Sequence, residues 1–182
     1  FSFTSFAQTV EEQNVEIKKE KVNAFVATYS NIKEDVVNGA FEQYFDKNIG
    51  GSSSKSSGFR LYKGATWKEI SPDKADVYYK VDGGKKETKV YVLYSKGYNN
   101  FVSTNSDGNT AQNVKTFLKN FGEQIIKFQK EKDIAAQQKV IDGVNSDLKK
   151  YKDEETDIKK KQENLAKDLN NVQSKISKEQ DR

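Results

Sequence analysis

Glu69, Asp73 and Asp76 gather around the turn Ser71-Pro72-Asp73-Lys74, and a carboxyl pair is a catalytic set that needs neither His nor Cys. Two carboxyls flanking a sugar linkage divide acid and base work in glycoside hydrolysis. Acidic residues beside a turn, however, are ordinarily solvated. Ser54-Lys55-Ser56 has the residue types of a phosphate cradle. No Gly precedes the Lys, though, and the expected order is helix to strand, the reverse of what that cradle requires. Asn105, Asp107 and Asn109 offer alternate oxygens as a calcium loop does, yet Gly108 is misplaced and no Glu closes the twelfth position. A helix cap accounts for these residues better.

His, Cys and Met are absent. Without imidazole or thiol the chain has no usual zinc site, thiol nucleophile, Ser-His-Asp triad or imidazole proton shuttle. The expectation is therefore a protein that is not an enzyme and takes neither cofactor nor metal. A net charge of +4 is modest and gives no reason to expect nucleic acid.

The strongest pattern is one of spacing. Ile134, Ile141, Leu148, Glu155, Gln162, Leu169 and Ile176 recur every seven residues, with Gln137, Val144, Tyr151, Ile158, Leu165 and Val172 three positions later. This is an a/d seam, and Lys, Asp, Glu, Gln and Asn dominate around it. A stripe that narrow calls for another helix rather than a globular core. The partner is expected to be the chain itself or another helical protein. Glu155 and Gln162 would meet their symmetry mates in a parallel dimer, so an antiparallel partner, or a different protein supplying Lys or Arg, suits Glu155 better. A long helix that frays or folds back on the domain is the alternative. Asp142-Gly143 interrupts with a helix breaker, but Ile141, Val144, Leu148 and Tyr151 keep phase through it, which favours one continuous helix from Asn109 to the end.

Ahead of the coil the chain reads as one domain. Thr9 to Glu20 is charged and reads as an arm, a short helix or a strand at Val15 to Lys18. Val22 to Tyr29 reads as a strand covered on both faces. Asn31 with Glu34 signals a helix start, followed by the aromatic face of Val36, Val37, Ala40, Phe41, Tyr44 and Phe45. Gly50 to Gly58 reads as a flexible serine loop. Phe59 to Tyr62 and Ala65 to Ile70 are expected strands around a bulge at Gly64. Asp76 to Asp82 and Glu87 to Ser95 form a hairpin through Asp82-Gly83-Gly84-Lys85, and Tyr98 to Ser103 follows. Val114, Phe117, Leu118, Phe121, Ile125 and Phe128 then form a wide helical stripe suited to lying on a sheet. The expected fold is α+β: an antiparallel sheet with two helices on one face, the last helix extending into a long coiled coil. Its parts are a signal-peptide remnant at 1–7, an N-terminal arm at 8–20, the α+β domain at 21–128 and the coiled-coil extension at 129–182.

Phe1 to Ala7 is apolar, with Ser5 and Ala7 three and one residues before a cut that would leave Gln8, as in a secretory signal. From the absence of Met, the translational start is expected to have been removed with an N-terminal piece. An exported location, periplasmic or extracellular, is expected, and no apolar run approaches the ~18 residues of a membrane span.

The order strand, helix, four strands, helix over Lys21 to Phe128 resembles one repeat of the TATA-binding-protein-like fold, which implies architecture and no DNA-binding residues. The Ala7-Gln8 junction, the Lys, Asn and Tyr usage, Gly64 to Pro72, Tyr79-Lys80-Val81 and Ser95-Lys96-Gly97-Tyr98-Asn99-Asn100-Phe101 resemble small exported proteins of Bacteroidota bacteria, a group with no established activity. That resemblance implies export.

The function expected is that of a non-catalytic exported binding or structural protein. With helices on one side, Tyr62, Trp67, Tyr78 and Tyr91 are candidates for an open sheet face that binds, unless they are core or ordinary half-exposed strand residues. The alternatives are a carboxylate-based hydrolase and a small-ligand or lipid carrier with a cavity between sheet and helices. A third is a nucleic-acid-binding domain using Lys63, Lys80, Lys85, Lys86 and Lys89.

Overall fold

The structure is a computed structural model that describes residues 9–98 and 100–181. The expected signal remnant at Phe1 to Ala7 lies outside the described residues. The chain divides into two compact units, Phe1–Glu131 and Lys132–Arg182.

The first unit is built on a six-stranded sheet in the order β1-β2-β6-β5-β4-β3, every neighbouring pair antiparallel. Its strands are β1 (Thr9–Ile17), β2 (Glu20–Ser30), β3 (Ser52–Ser56), β4 (Phe59–Thr66), β5 (Lys74–Gly83) and β6 (Glu87–Ser95). The helices are α1 (Glu34–Asn48), α2 (Gly108–Asn120) and the start of α3 (Gly122–Gln180). Phe25, Tyr29, Val77, Tyr79, Val90 and Val92 point from the sheet into one buried cluster with Phe41 and Phe45 of α1, Val114 and Leu118 of α2, and Ile125 of α3. The aromatic stripes of the helices thus meet the apolar alternation of the central strands, giving the α+β architecture with helices on one face.

Thr9–Ile17 is the first strand, not a helix or a loose arm, and pairs along its whole length with β2. Lys18 (φ 50°) and Lys19 (φ 70°) close that hairpin in left-handed backbone. The serine run also differs from expectation. Ser52–Ser56 is an edge strand paired with β4, held by backbone hydrogen bonds while its side chains face water. The expected bulge is present: the register of β4 on β5 slips between Tyr62 and Ala65, with Gly64 at φ 62°. Asp76 Oδ1 accepts from Gly64 N at 2.8 Å and fixes the distortion. β4 then ends at Thr66, short of the expected Ile70, because the N–H groups of Ile70 and Ser71 both turn back to the Trp67 carbonyl. Asn31 is not a cap. It sits at φ 58°, and Lys33, without a side-chain cap bond, precedes the helix.

α2 and α3 form one long bent helix, interrupted at Phe121. The bend keeps its ladder, with Phe121 N donating to Phe117 O at 2.9 Å and Ile125 N to Phe121 O at 3.2 Å. Asp107 caps α2, accepting from Thr110 N at 3.1 Å and Thr110 Oγ1 at 2.7 Å and pairing with Lys96. The Lys96 ammonium, and after it Thr110, hold the Asp107 carboxyl far below the usual carboxylate range. A depressed carboxyl stabilises the fold above its unfolded value, near 4, and that stabilisation drains only as pH falls toward the folded value. Asp107→Asn is therefore expected to lower the thermal midpoint at about pH 7, with the gap to wild type closing below about pH 2. Melting curves at the two pH values check this.

α3 continues unbroken through Gly143, where an added Cβ would meet nothing within 4 Å. Gly143→Ala is expected to stabilise the helix by about 1 kcal/mol, read as a later loss of helical circular dichroism on heating.

Candidate interaction surfaces

In the unit Lys132–Arg182 every described residue is exposed. The apolar seam is exposed with the rest: Ile134 64%, Ile141 51%, Val144 60%, Leu148 49%, Tyr151 63%, Ile158 55%, Leu165 67%, Leu169 59%, Val172 52% and Ile176 52%. At 1.5 Å per residue these ten side chains make a stripe roughly 60 Å long on one helix. Half-exposed apolar residues scattered singly are ordinary, whereas these ten share one face of the helix, interrupted at Glu155 and Gln162. The flanks are tied by pairs one turn apart, Lys159 Nζ to Glu155 at 2.6 Å, Lys150 Nζ to Glu154 at 3.9 Å and Gln138 to Asp142 at 2.9 Å. Such exposed pairs add little to stability. Their effect is placement, since Glu155, a charged residue in the seam, carries its counter-ion on its own helix.

The second surface is the sheet face away from the helices. Tyr78 lies there with Ala24, Val26, Phe59 and Leu93 in a smaller buried cluster, and Tyr91, Leu61 and Phe101 pack against it half-buried. The Tyr78 and Phe101 rings are 5.8 Å apart, and Lys80 Nζ sits 6.0 Å from the Tyr91 ring centre. Tyr62 and Trp67 do not join them. Tyr62 is opposite Val77 on the helix side, and Trp67, past the end of β4, turns under α1 and α2. Both are buried and belong to the core, Trp67 lying 5.1 Å from Phe45 and 4.7 Å from Phe117 between ring centres.

The acidic candidates have structural partners. Asp76 holds the bulge, Asp73 faces Ser71 within the turn, and Asp107 is a cap. Lys55 points from an edge strand, paired across from Arg60. Lys80 pairs with Asp82 at 2.8 Å and Lys89 with Glu87 at 3.4 Å. Among the described residues no group of three or more His, Cys, Asp or Glu could hold a metal, and no helix is long and apolar enough to cross a membrane.

A cleft of about 270 Å³ lined by Tyr44, Glu69, Asn113, Phe117 and Gln124 was not foreseeable from sequence, where Tyr44 and Phe117 read as core. At its wall Tyr44 Oη lies beside Glu69 and the Trp67 indole nitrogen. Neither the Tyr44 hydroxyl nor the Trp67 Nε1 makes a well-formed hydrogen bond, and burial, then Glu69, raises the Tyr44 hydroxyl well above its ordinary value.

The fold is an α+β unit followed by a long helix with an exposed apolar stripe. Compared with known proteins, the chain matches no family model, no curated protein and no solved structure.

Proposed function

We propose that this is a non-catalytic, exported assembly or binding protein, in which a rigid α+β unit is joined through a docking helix to itself or to another helical protein. The exposed seam of Lys132–Arg182 carries the reading. Full cover of a Leu or Ile contributes about 1.5–3 kcal/mol relative to exposure, and side chains already half-covered by their own helix stand to gain roughly half of that each. Ten of them in one stripe come to about 8–15 kcal/mol, of the size needed to offset the cost of bringing a second helix alongside. The export part rests on Ser5 and Ala7 ahead of Gln8 and on the likeness to small exported Bacteroidota proteins.

The alternatives have less behind them. A hydrolase needs two carboxyls facing one another across a pocket; the Asp76 carboxyl instead accepts from the Gly64 backbone at 2.8 Å, and the Asp73 carboxyl lies within its own turn, 3.5 Å from the Ser71 hydroxyl. A lipid or small-ligand carrier needs space between sheet and helices, where Phe41, Phe45, Tyr62, Trp67 and Tyr79 interlock instead. Nucleic-acid binding needs uncompensated lysines gathered on the sheet; of the five candidates Lys80 and Lys89 are paired with acids, and Lys85 and Lys86 sit in the turn between β5 and β6. The docking reading is tested by charging the seam and measuring solution mass by light scattering, with the folding of the first unit followed separately.

A further inference from the structure

We propose that the occupant of the seam is a second copy of this chain, lying parallel and in register. The proposal rests on the docking reading above and names the partner.

In a parallel pair each a or d residue faces its own equivalent, so every apolar layer from Ile134 to Ile176 is matched, and Gln137, Gln162 and Glu155 face polar groups. In the fully overlapping antiparallel pair, a faces d. Glu155 then lies against the partner's Ile158, and Gln162 against the partner's Tyr151. Each polar group would be desolvated by an apolar one, the costlier arrangement.

The flanks point the same way. In a parallel pair a residue just before an a position meets the residue five later on the other helix. That joins Asp147 to the partner's Lys152 and Glu154 to the partner's Lys159, each made twice by symmetry. The remaining flank pairs combine a charge with Gln or Ala, or Val with Asn, so no like charges meet. The antiparallel alternative gains Asp147 with the partner's Lys161, but sets Glu154 against the partner's Glu154 and Lys159 against the partner's Lys159.

Glu155 facing its own equivalent is the apparent objection. Its answer is the 2.6 Å contact with Lys159 on the same helix. Each copy brings a neutralised pair to the layer, and Lys159 lies between its own Glu155 and the partner's Glu154. A polar layer of this kind weakens the dimer while fixing register.

Because the chain has no Cys, single-cysteine variants of the full chain give a clean test. Leu148→Cys and Leu165→Cys are each oxidised in a glutathione buffer, alone and mixed. The parallel dimer brings each new thiol opposite its equivalent, at backbone separations a disulfide spans, so each variant alone is expected to form a linked homodimer. A disulfide that forms only in the mixture means antiparallel helices and overturns the proposal. Glu155→Leu is expected to tighten dimerisation by at least about tenfold, and no change would remove position 155 from the interface. A full chain that stays monomeric up to about 100 μM also overturns self-pairing. Hydrogen exchange then separates the two readings: fast exchange across 134–176 leaves the seam waiting for a different partner, whereas protection in the monomer means the helix folds back and the docking reading fails as well.

Discussion

Phe45→Ala is expected to destabilise the first unit by about 3–5 kcal/mol, against a total of roughly 5–15 kcal/mol for a domain of ordinary stability. Phe45 has no exposed surface and stands where α1 crosses β4 and β5. Its ring meets Phe41 at 5.8 Å, Tyr62 at 5.6 Å, Trp67 at 5.1 Å and Tyr79 at 4.9 Å, in each case edge to face. Rigid rings cannot collapse into the space that truncation leaves, so the cavity persists and its lining loses contacts on one side. A drop of well over 10 °C in the midpoint of near-ultraviolet melting is the expected reading, at a few degrees per kcal/mol. Phe45→Leu, which keeps most of the volume, is expected to cost clearly less. Equal effects from both would mean that the ring is not the keystone of the core.

That keystone was partly legible in the sequence. The aromatic face of α1 and the stripe from Val114 to Ile125 carry helical spacing, and both reach the core as expected. Long periodic segments are legible because many residues vote for one phase. Edges are not. β3 is all Ser and Lys because an edge strand is held by its backbone and need bury nothing. β1 hides for a second reason: its hairpin turns through Lys18-Lys19, both at positive φ, where Asn-Gly is the usual signal.

The sheet-face candidates divide on register. Tyr62 faces the helices because it pairs with Val77, while Leu61 beside it pairs with Tyr78 on the outer face. A shift of one residue would exchange them, and nothing in a single strand reports its neighbour's register. Trp67 lies beyond the bulge and beyond the end of the strand, where alternation no longer applies. The heptad stripe differs in kind. Its seven-residue period is a property of one helix alone, and what the structure adds is the exposure of every seam residue within its unit and the ion pair beside Glu155.

Ile158→Asp combined with Leu165→Asp is expected to abolish association through the seam. Ile158 and Leu165 occupy successive d positions and are 55% and 67% exposed in the single chain. In a dimer each substitution acts on both helices, removing four apolar side chains and placing four carboxylates in a closing interface. Losing about 0.8–1.5 kcal/mol of burial at each of the four positions, before any cost of the charges, corresponds to a hundredfold or more in dissociation constant. Light scattering should give the monomer mass at concentrations where the wild type is associated, and helicity should fall because a long helix without tertiary cover is only marginally stable in water. Melting of Phe1–Glu131 should not change, since these positions belong to the other unit. Asp is itself a weak helix former, so the matched control is Lys160→Asp with Lys167→Asp, which carries the same new residues on the face opposite the seam. If the control dissociates as readily as the seam variant, helix propensity rather than the apolar stripe explains the effect. Should the seam variant keep the wild-type mass, the stripe is not what holds the chains together and the parallel dimer falls, while docking to a different helical protein is decided by the hydrogen-exchange pattern across 134–176.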